Sequence, residues 1–141
     1  MKKNYKELPV FKKAQEILEI TTAITDAIDE EEDIFHMKEF MMNNATIMTS
    51  KIVGAEGGDL YSLRMENAVL IKLAACELKT QTNMLRIDNL TDGQYIQLLR
   101  DEIDNFKPLF IDWVKSFDPT DDINDGWLYI MPPREGDGEG F

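Results

Sequence analysis

Residues 96–117, I-Q-L-L-R-D-E-I-D-N-F-K-P-L-F-I-D-W-V-K-S-F, carry the pattern that decides the fold. Their apolar residues recur at alternating spacings of 3 and 4, which places them on one stripe of a helix. The stripe consists of Ile96, Leu99, Ile103, Phe106, Phe110, Trp113 and Phe117. Pro108 lies inside the pattern and removes one intrahelical hydrogen bond. Because the stripe continues on both sides of it, the sequence predicts one kinked helix rather than two.

The residues before that stripe supply a helix start. In L-T-D-G-Q-Y, residues 90–95, Thr91 and Gln94 have the spacing of a capping box. Leu90 and Tyr95 flank this box as a hydrophobic staple. The sequence therefore predicts that the helix begins here and runs to the end of the stripe.

Two earlier segments show the same helical periodicity. The first begins at Pro9, which suits a first helical turn because its missing N–H would be unpaired there. Its stripe consists of Val10, Ala14, Ile17, Thr21, Ile24 and Ile28. The second begins in the acidic run D-E-E-E-D, residues 29–33, where Asp29 and Glu32 fit a capping box. Its stripe consists of Ile34, Met37, Met41, Ala45, Met48 and Ile52.

A further segment, from about residue 60 to residue 85, follows Asp59, a candidate N-cap. Its stripe consists of Leu60, Leu63, Asn67, Ile71, Ala74, Leu78, Gln81 and Leu85. Much of the remaining circumference is also apolar, through Val69, Leu70, Leu73, Ala75 and Cys76. A helix that is apolar on several faces is buried on several faces. Either this helix is the most enclosed one, or one of its faces meets another subunit.

Four amphipathic helices with short connections predict an all-α fold, an antiparallel up-down four-helix bundle over residues 1–118. Residues 119–141 are rich in acids, glycine and proline and predict an extended acidic C-terminal tail. The tail holds one apolar island, the docking residues Trp127, Leu128, Tyr129, Ile130 and Met131. Large apolar side chains gain from burial, and the flanks of the island cannot build a core. We therefore expect the island to dock on a groove of its own bundle or of a neighbouring subunit.

Length and composition limit the setting. A chain of 141 residues is long enough for one domain with its own core. No run approaches the ~18 apolar residues of a membrane span, so no membrane partner is expected. The N-terminus lacks the apolar stretch of a secretory signal. The only cysteine, Cys76, cannot form an internal disulfide, which favours a reducing, cytoplasmic setting.

The net charge of −12 is unevenly distributed. Acidic residues are concentrated in residues 26–39 and 118–141, whereas residues 1–13 are basic. The basic residues there are Lys2, Lys3, Lys6, Lys12 and Lys13. Long-range repulsion disfavours nucleic acid as a partner, but contact through this basic N-terminal patch stays open.

The glycine-rich stretch S-K-I-V-G-A-E-G-G-D, residues 50–59, invites comparison with phosphate-binding loops. Such loops follow a strand, and the P-loop adds a lysine after its last glycine. Here the preceding segment is helical, and Glu56 and Asp59 would repel a phosphate. The stretch therefore predicts a corner between two helices, with Gly54 or Gly57 in the left-handed conformation.

The chain offers no convincing set of catalytic side chains. His36, the only histidine, lacks the partners of a metal site at helical spacing. Cys76 lies on an apolar helix without a histidine near it in sequence, which predicts a buried small hydrophobe. We therefore expect no enzymatic activity, no cofactor and no metal.

Three stretches together resemble a known family: N-Y-K-E-L-P-V-F-K-K-A near the N-terminus, T-S-K-I-V-G-A-E-G-G at the corner, and A-A-C-E-L-K-T-Q-T in the third segment. The family is that of the bacterial four-helix bundles that include the 23S rRNA intervening-sequence proteins and the accessory variability determinants of diversity-generating retroelements. The resemblance spans about residues 4 to 117 and leaves out the tail.

The resemblance implies a bundle that assembles as a homopentameric ring without enzymatic activity. In the retroelement branch the ring contacts a reverse transcriptase and nucleic acid through a basic surface. The present sequence departs from that pattern, since the corresponding positions are not basic overall.

These observations favour a non-enzymatic, self-associating adaptor or scaffold for a nucleic-acid-processing protein such as a reverse transcriptase. The alternative is direct nucleic-acid binding through the basic N-terminal patch.

Overall fold

The computed structural model describes residues 4–33, 35–88 and 93–123, and these residues form helices and turns without a strand. The helices are α1 (Pro9–Asp26), α2 (Met37–Glu56), α3 (Tyr61–Asp88) and α4 (Gly93–Lys115). Two short 3-10 turns, Tyr5–Glu7 and Glu30–Glu32, precede α1 and α2. The predicted all-α class is confirmed. The apolar island at residues 127–131 lies outside the described residues.

Most of the core comes from the predicted stripes. Each helix packs on its neighbours in the chain, and α1 also packs on α4. The stripe of α1 is buried along its whole length, and so is that of α2 from Met37 to Ile52. On α4 the stripe is buried except at Phe110, which is half-buried, and the helix continues through Pro108 as predicted. Of the start signal predicted for this helix, residues 90–92 lie outside the described residues, and Tyr95 is exposed.

The start of α2 differs from the prediction. The acidic run is not its first turn, because the Asp29 carboxylate accepts a hydrogen bond from the Glu31 amide and starts a separate 3-10 turn. The carboxylate that caps the start of α2 is that of Asp33. Its oxygens accept hydrogen bonds from the backbone amides of Met37 at 2.7 Å and Lys38 at 3.2 Å. These bonds satisfy two amide groups that the first helical turn leaves unpaired.

His36 stands directly before α2 in an unusual backbone conformation. Its φ of 55° lies in the left-handed region, which is uncommon for residues other than glycine, although histidine, asparagine and aspartate adopt it more often than the rest. The imidazole itself is exposed. Left-handed residues more often end a helix, but His36 stands at the start of α2.

The glycine-rich stretch forms a corner between α2 and α3, as predicted. The expectation of a left-handed glycine was wrong, since Gly57 has a φ of −73° and Gly54 lies within α2. The amide of Gly57 donates to the carbonyl of Val53 at 3.0 Å, so the helix ends in a right-handed turn. A Cβ on Gly57 would lie 3.4 Å from the carbonyl oxygen of Gly54, an ordinary van der Waals contact, so neither space nor backbone conformation requires glycine there.

The start of α3 also differs from the prediction. The carbonyl of Leu60 accepts the first helical bond, from the amide of Arg64, so Leu60 and not Asp59 occupies the N-cap position. The amide of Tyr61 donates instead to the carbonyl of Asp121, at 2.7 Å. A distant backbone group therefore satisfies the first amide of this helix.

Polar side chains connect the helices inside the bundle. Asn44 donates from its amide nitrogen to the Gln81 side-chain oxygen at 3.1 Å, and both residues are buried. The Arg100 guanidinium on α4 donates to the Thr82 hydroxyl and the Asn83 amide oxygen on α3, at 2.8 and 2.7 Å.

Among the described residues, no helix is long and apolar enough to cross a membrane.

Candidate interaction surfaces on the third helix

Several large apolar side chains on one side of α3 face solvent, with the exposed carboxylates of Glu66 and Glu77 among them. On the side of α3 that faces the bundle, the buried residues include Ile71, Ala74, Leu78, Gln81 and Leu85, as the predicted stripe requires. Leu63 belongs to the same predicted stripe but is 54% exposed, and Cys76 is exposed instead of buried. Both predictions were wrong because, in the described part of the chain, α2 and α4 are the helices that pack on α3, and they leave much of its circumference uncovered.

The exposed apolar residues are ordered along the helix. We call the set Leu63, Leu70, Leu73 and Met84 the α3 outer face; all four are exposed, Leu73 by 58%. At 100° per residue they fall within a sector of about 80°. Among the described residues, these side chains lack cover, so α3 is not enclosed on all its apolar faces. Ordered apolar side chains of this kind mark interaction sites more often than singly scattered ones.

A groove runs between α3 and α4 on another side of α3. It has a volume of about 490 Å³ and an apolar floor that includes Ala75, Phe106 and Ile111. Its charged lining residues are Lys72, Lys79, Asp104 and Lys107, and the Lys79 ammonium is paired with the Asp104 carboxylate. Cys76 also lines this groove. We call it the α3–α4 groove.

The chain after α4 returns to the start of α3. In addition to the Tyr61–Asp121 backbone bond, the Ser62 hydroxyl donates to the Asp122 carboxylate at 3.0 Å. The first described residues of the tail therefore pack beside α3, and the chain leaves the described region at Ile123. Sequence periodicity gives no signal for this contact, because residues 118–123 lie beyond the last helical stripe.

The predicted basic N-terminal patch is divided by the structure. Lys6 and Lys12 are exposed, whereas Lys2 and Lys3 lie outside the described residues. Lys13 forms ion pairs with Glu102 at 2.6 Å and with Glu16 at 2.9 Å. Its charge is therefore compensated within the bundle.

Lys13 and Glu102 alter each other's protonation. The hydrogen bond to Glu102, together with that to Glu16, raises the pKa of the Lys13 ammonium. The hydrogen bond from Lys13 lowers the pKa of the Glu102 carboxyl. The pair joins α1 to α4 in its charged form.

No group of three or more histidine, cysteine, aspartate or glutamate side chains is arranged to hold a metal ion in the part of the chain that the structure describes. Comparison with known protein families and with characterised proteins found no match. The resemblance to the intervening-sequence family thus rests on the short motifs quoted above and stays a prediction.

Proposed function

We propose that this protein is a non-enzymatic four-helix-bundle adaptor or scaffold whose chains associate through the α3 outer face. The observation that carries the proposal is the exposure of four large apolar side chains along one side of α3. Complete burial of a fully exposed side chain of this size gains roughly 1.5–3 kcal/mol, so covering the exposed half of each gains about half as much. A second chain that covers this face supplies that burial.

The proposed bundle has an antiparallel up-down topology. Two contacts between α2 and α3 support it, since Asn44 contacts Gln81 whereas Glu56, later in α2, contacts Arg64, earlier in α3. The order of contacts is reversed along the two helices, as it is between antiparallel neighbours.

This register extends the proposed interface onto α2. One helical turn before Asn44 lies Phe40, which is exposed, and one turn after Gln81 lies Met84. In antiparallel helices these two residues lie at the same level. Phe40 therefore lies level with the end of the α3 outer face, and an interface that extends across to α2 includes an aromatic residue, a type enriched at protein interfaces.

The proposed assembly is a homopentamer, as the family resemblance implies, and its proposed partner is a basic protein such as a reverse transcriptase. The clusters of acidic residues at 26–39 and 118–141 support this choice of partner, because complementary charge accelerates and orients protein association. We place the assembly in the reducing cytoplasm, where a free Cys76 is stable.

Oligomeric mass tests the proposal directly. Gel filtration with light scattering at micromolar concentration should give a multiple of the 16.2 kDa chain mass, five-fold for the pentamer. Leu70→Asp with Leu73→Asp should reduce the mass to that of one chain. The matched control is Tyr95→Asp with Leu98→Asp, which changes two exposed apolar residues on α4 and should leave the assembly intact. A monomeric wild type, or an assembly that survives the α3 changes, would overturn the proposal.

A further inference from the structure

The described part of the chain ends at the start of α3, and Lys72, which lines a groove farther along that helix, lies about 15 Å away. The α3–α4 groove has an apolar floor, and its volume lies within the roughly 300–1,000 Å³ of sites that enclose a compact ligand. Ile111, on its floor, is 40% exposed, so an occupant would remove apolar surface from water. The remaining 18 residues of the chain, 124–141, follow Ile123.

We propose that the apolar island of the tail, residues 127–131, occupies the α3–α4 groove of its own chain. The proposal adds a contact within each chain to the association through the α3 outer face and does not depend on it.

Chain geometry permits this contact. The tail is fixed to α3 at Ser62 by Asp122. Along the helix axis, Lys72 lies about 15 Å and Lys79 about 26 Å from Ser62, at 1.5 Å per residue. An extended chain that starts at Asp122 reaches about 17 Å at the first residue of the island and about 30 Å at the last. The island therefore spans the same length of α3 as the groove does.

The charge of the tail is complementary to that of the α3–α4 groove. The groove is lined by three lysines and one aspartate, and the aspartate is paired with Lys79. Residues 124–141 contain four carboxylates and one arginine, and the carboxylates lie on both sides of the island. An island in the groove places these acids near Lys72 and Lys107, where opposite charges attract.

Cys76 provides a probe for the occupant because it is the only cysteine, is exposed in the described part and lines the groove. The test variant is the full-length chain with Trp127, Leu128, Tyr129 and Ile130 changed to Ser. The Cys76 thiol should react with a soluble disulfide reagent at least about tenfold more slowly in the wild type than in this variant. The reason is that a docked segment must open before the thiol reacts. Phe141→Ser, which also removes an apolar residue from the tail, is the matched control and should leave the rate unchanged. Equal rates in all three proteins would overturn the proposal.

A second measurement identifies the chain that supplies the island. A bimane label on Cys76 is quenched by tryptophan in contact with it, so Trp127→Phe should restore its fluorescence. Ile111→Asp should restore it as well, whereas Leu98→Asp, a residue 43% exposed on α4 outside the groove lining, should not. Labelled wild type, exchanged into excess unlabelled Trp127→Phe protein, should stay quenched. Recovery of fluorescence on exchange would show docking on a neighbouring chain and overturn docking within one chain. Fluorescence that never depended on Trp127 would overturn both.

Discussion

The indole nitrogen of Trp113 and the carboxylate of Glu56 are joined by a hydrogen bond of 2.7 Å, although 57 residues separate them in the chain. The same carboxylate oxygen accepts from the Arg64 guanidinium at 2.7 Å. The guanidinium in turn lies over the Phe117 ring, 4.0 Å from its centroid. One acidic side chain therefore connects the end of α2, the start of α3 and the end of α4.

Glu56→Ala should destabilise the protein by about 2–4 kcal/mol, because it leaves a largely buried guanidinium and an indole N–H without their acceptor. The buried Nε of Arg64 also lacks a hydrogen-bond partner in the described structure. The guanidinium therefore has no second acceptor at that nitrogen to compensate for the loss of Glu56. Urea unfolding measures the change. Glu66→Ala, at an exposed position of α3, is the control and should alter the free energy of unfolding by less than about 0.5 kcal/mol. Equal effects of the two changes would contradict a connecting role for Glu56.

The buried pair of Asn44 and Gln81 should show strong coupling. Asn44→Leu or Gln81→Leu alone leaves the other amide unpaired in the core, at a cost of about 1–3 kcal/mol. The double variant removes both amides and should cost less than the sum, by about 0.5–3 kcal/mol. The exposed pair Gln97 and Asp101 on α4 serves as the comparison, with an expected coupling near zero. Additive effects at the buried pair would argue against a shared hydrogen bond.

Asp33→Ala should destabilise the protein by about 1 kcal/mol through loss of the two hydrogen bonds that start α2. Asp29→Ala removes a similar bond from a three-residue 3-10 turn and should cost less. Thermal unfolding of both variants decides the order. A larger loss from Asp29→Ala would mean that the acidic run itself starts the helix.

The ion pair of Lys13 and Glu102 should contribute stability only between acidic and alkaline limits. The pKa of Glu102 is lowered by folding, so its contribution is lost as the pH falls below the ordinary glutamate pKa of about 4.3 and through the folded value. The pKa of Lys13 is raised, so its contribution is lost as the pH rises above about 10.4 and through the folded value. Glu102→Gln should therefore cost up to about 1 kcal/mol at pH 7 and progressively less below pH ~4. Unfolding curves across this range, with Glu19→Gln as the control, test the pair; a constant difference from pH 3 to pH 7 would contradict it.

The isolated protein should bind mixed-sequence RNA and DNA no more tightly than the roughly 10⁻⁴–10⁻⁶ M of nonspecific contacts at physiological salt. The physical reasons are the net charge of −12 and the internal pairing of Lys13. Electrophoretic shifts with duplex and single-stranded probes measure this affinity. Tight, steeply salt-dependent binding that is lost in Lys12→Glu with Lys13→Glu would favour the alternative function through the N-terminal patch.

Local periodicity was sufficient to predict the helices and most of the core. Trp113 and Ile17 are buried because each belongs to a stripe whose members share one face, and that property is present in the sequence alone. The residue that caps the start of α2 was harder to predict, since Asp29 and Asp33 have the same side chain and both lie in the same acidic run. Only the folded backbone distinguishes the aspartate that reaches the α2 amides.

Surface features escaped prediction for a different reason. Cys76 lies on an apolar helix, but its burial depends on which sides of α3 the other helices cover, and the periodicity of α3 alone does not specify that. The contacts of Asp121 and Asp122 with the start of α3 join positions about 60 residues apart through a backbone carbonyl and a small polar side chain. Neither group carries a signal in the sequence.

The bond between the Tyr61 amide and the Asp121 carbonyl also sets an order of events during translation. The amide leaves the ribosome 60 residues before its acceptor, which corresponds to about 3–12 s at typical synthesis rates of 5–20 residues per second. Until Asp121 has emerged, α3 lacks its capping carbonyl, and until Lys115 has emerged it also lacks the support of a complete α4. We therefore expect nascent chains stalled before Asp121 emerges to be protease-sensitive at the corner before α3, and chains stalled after it to be resistant there.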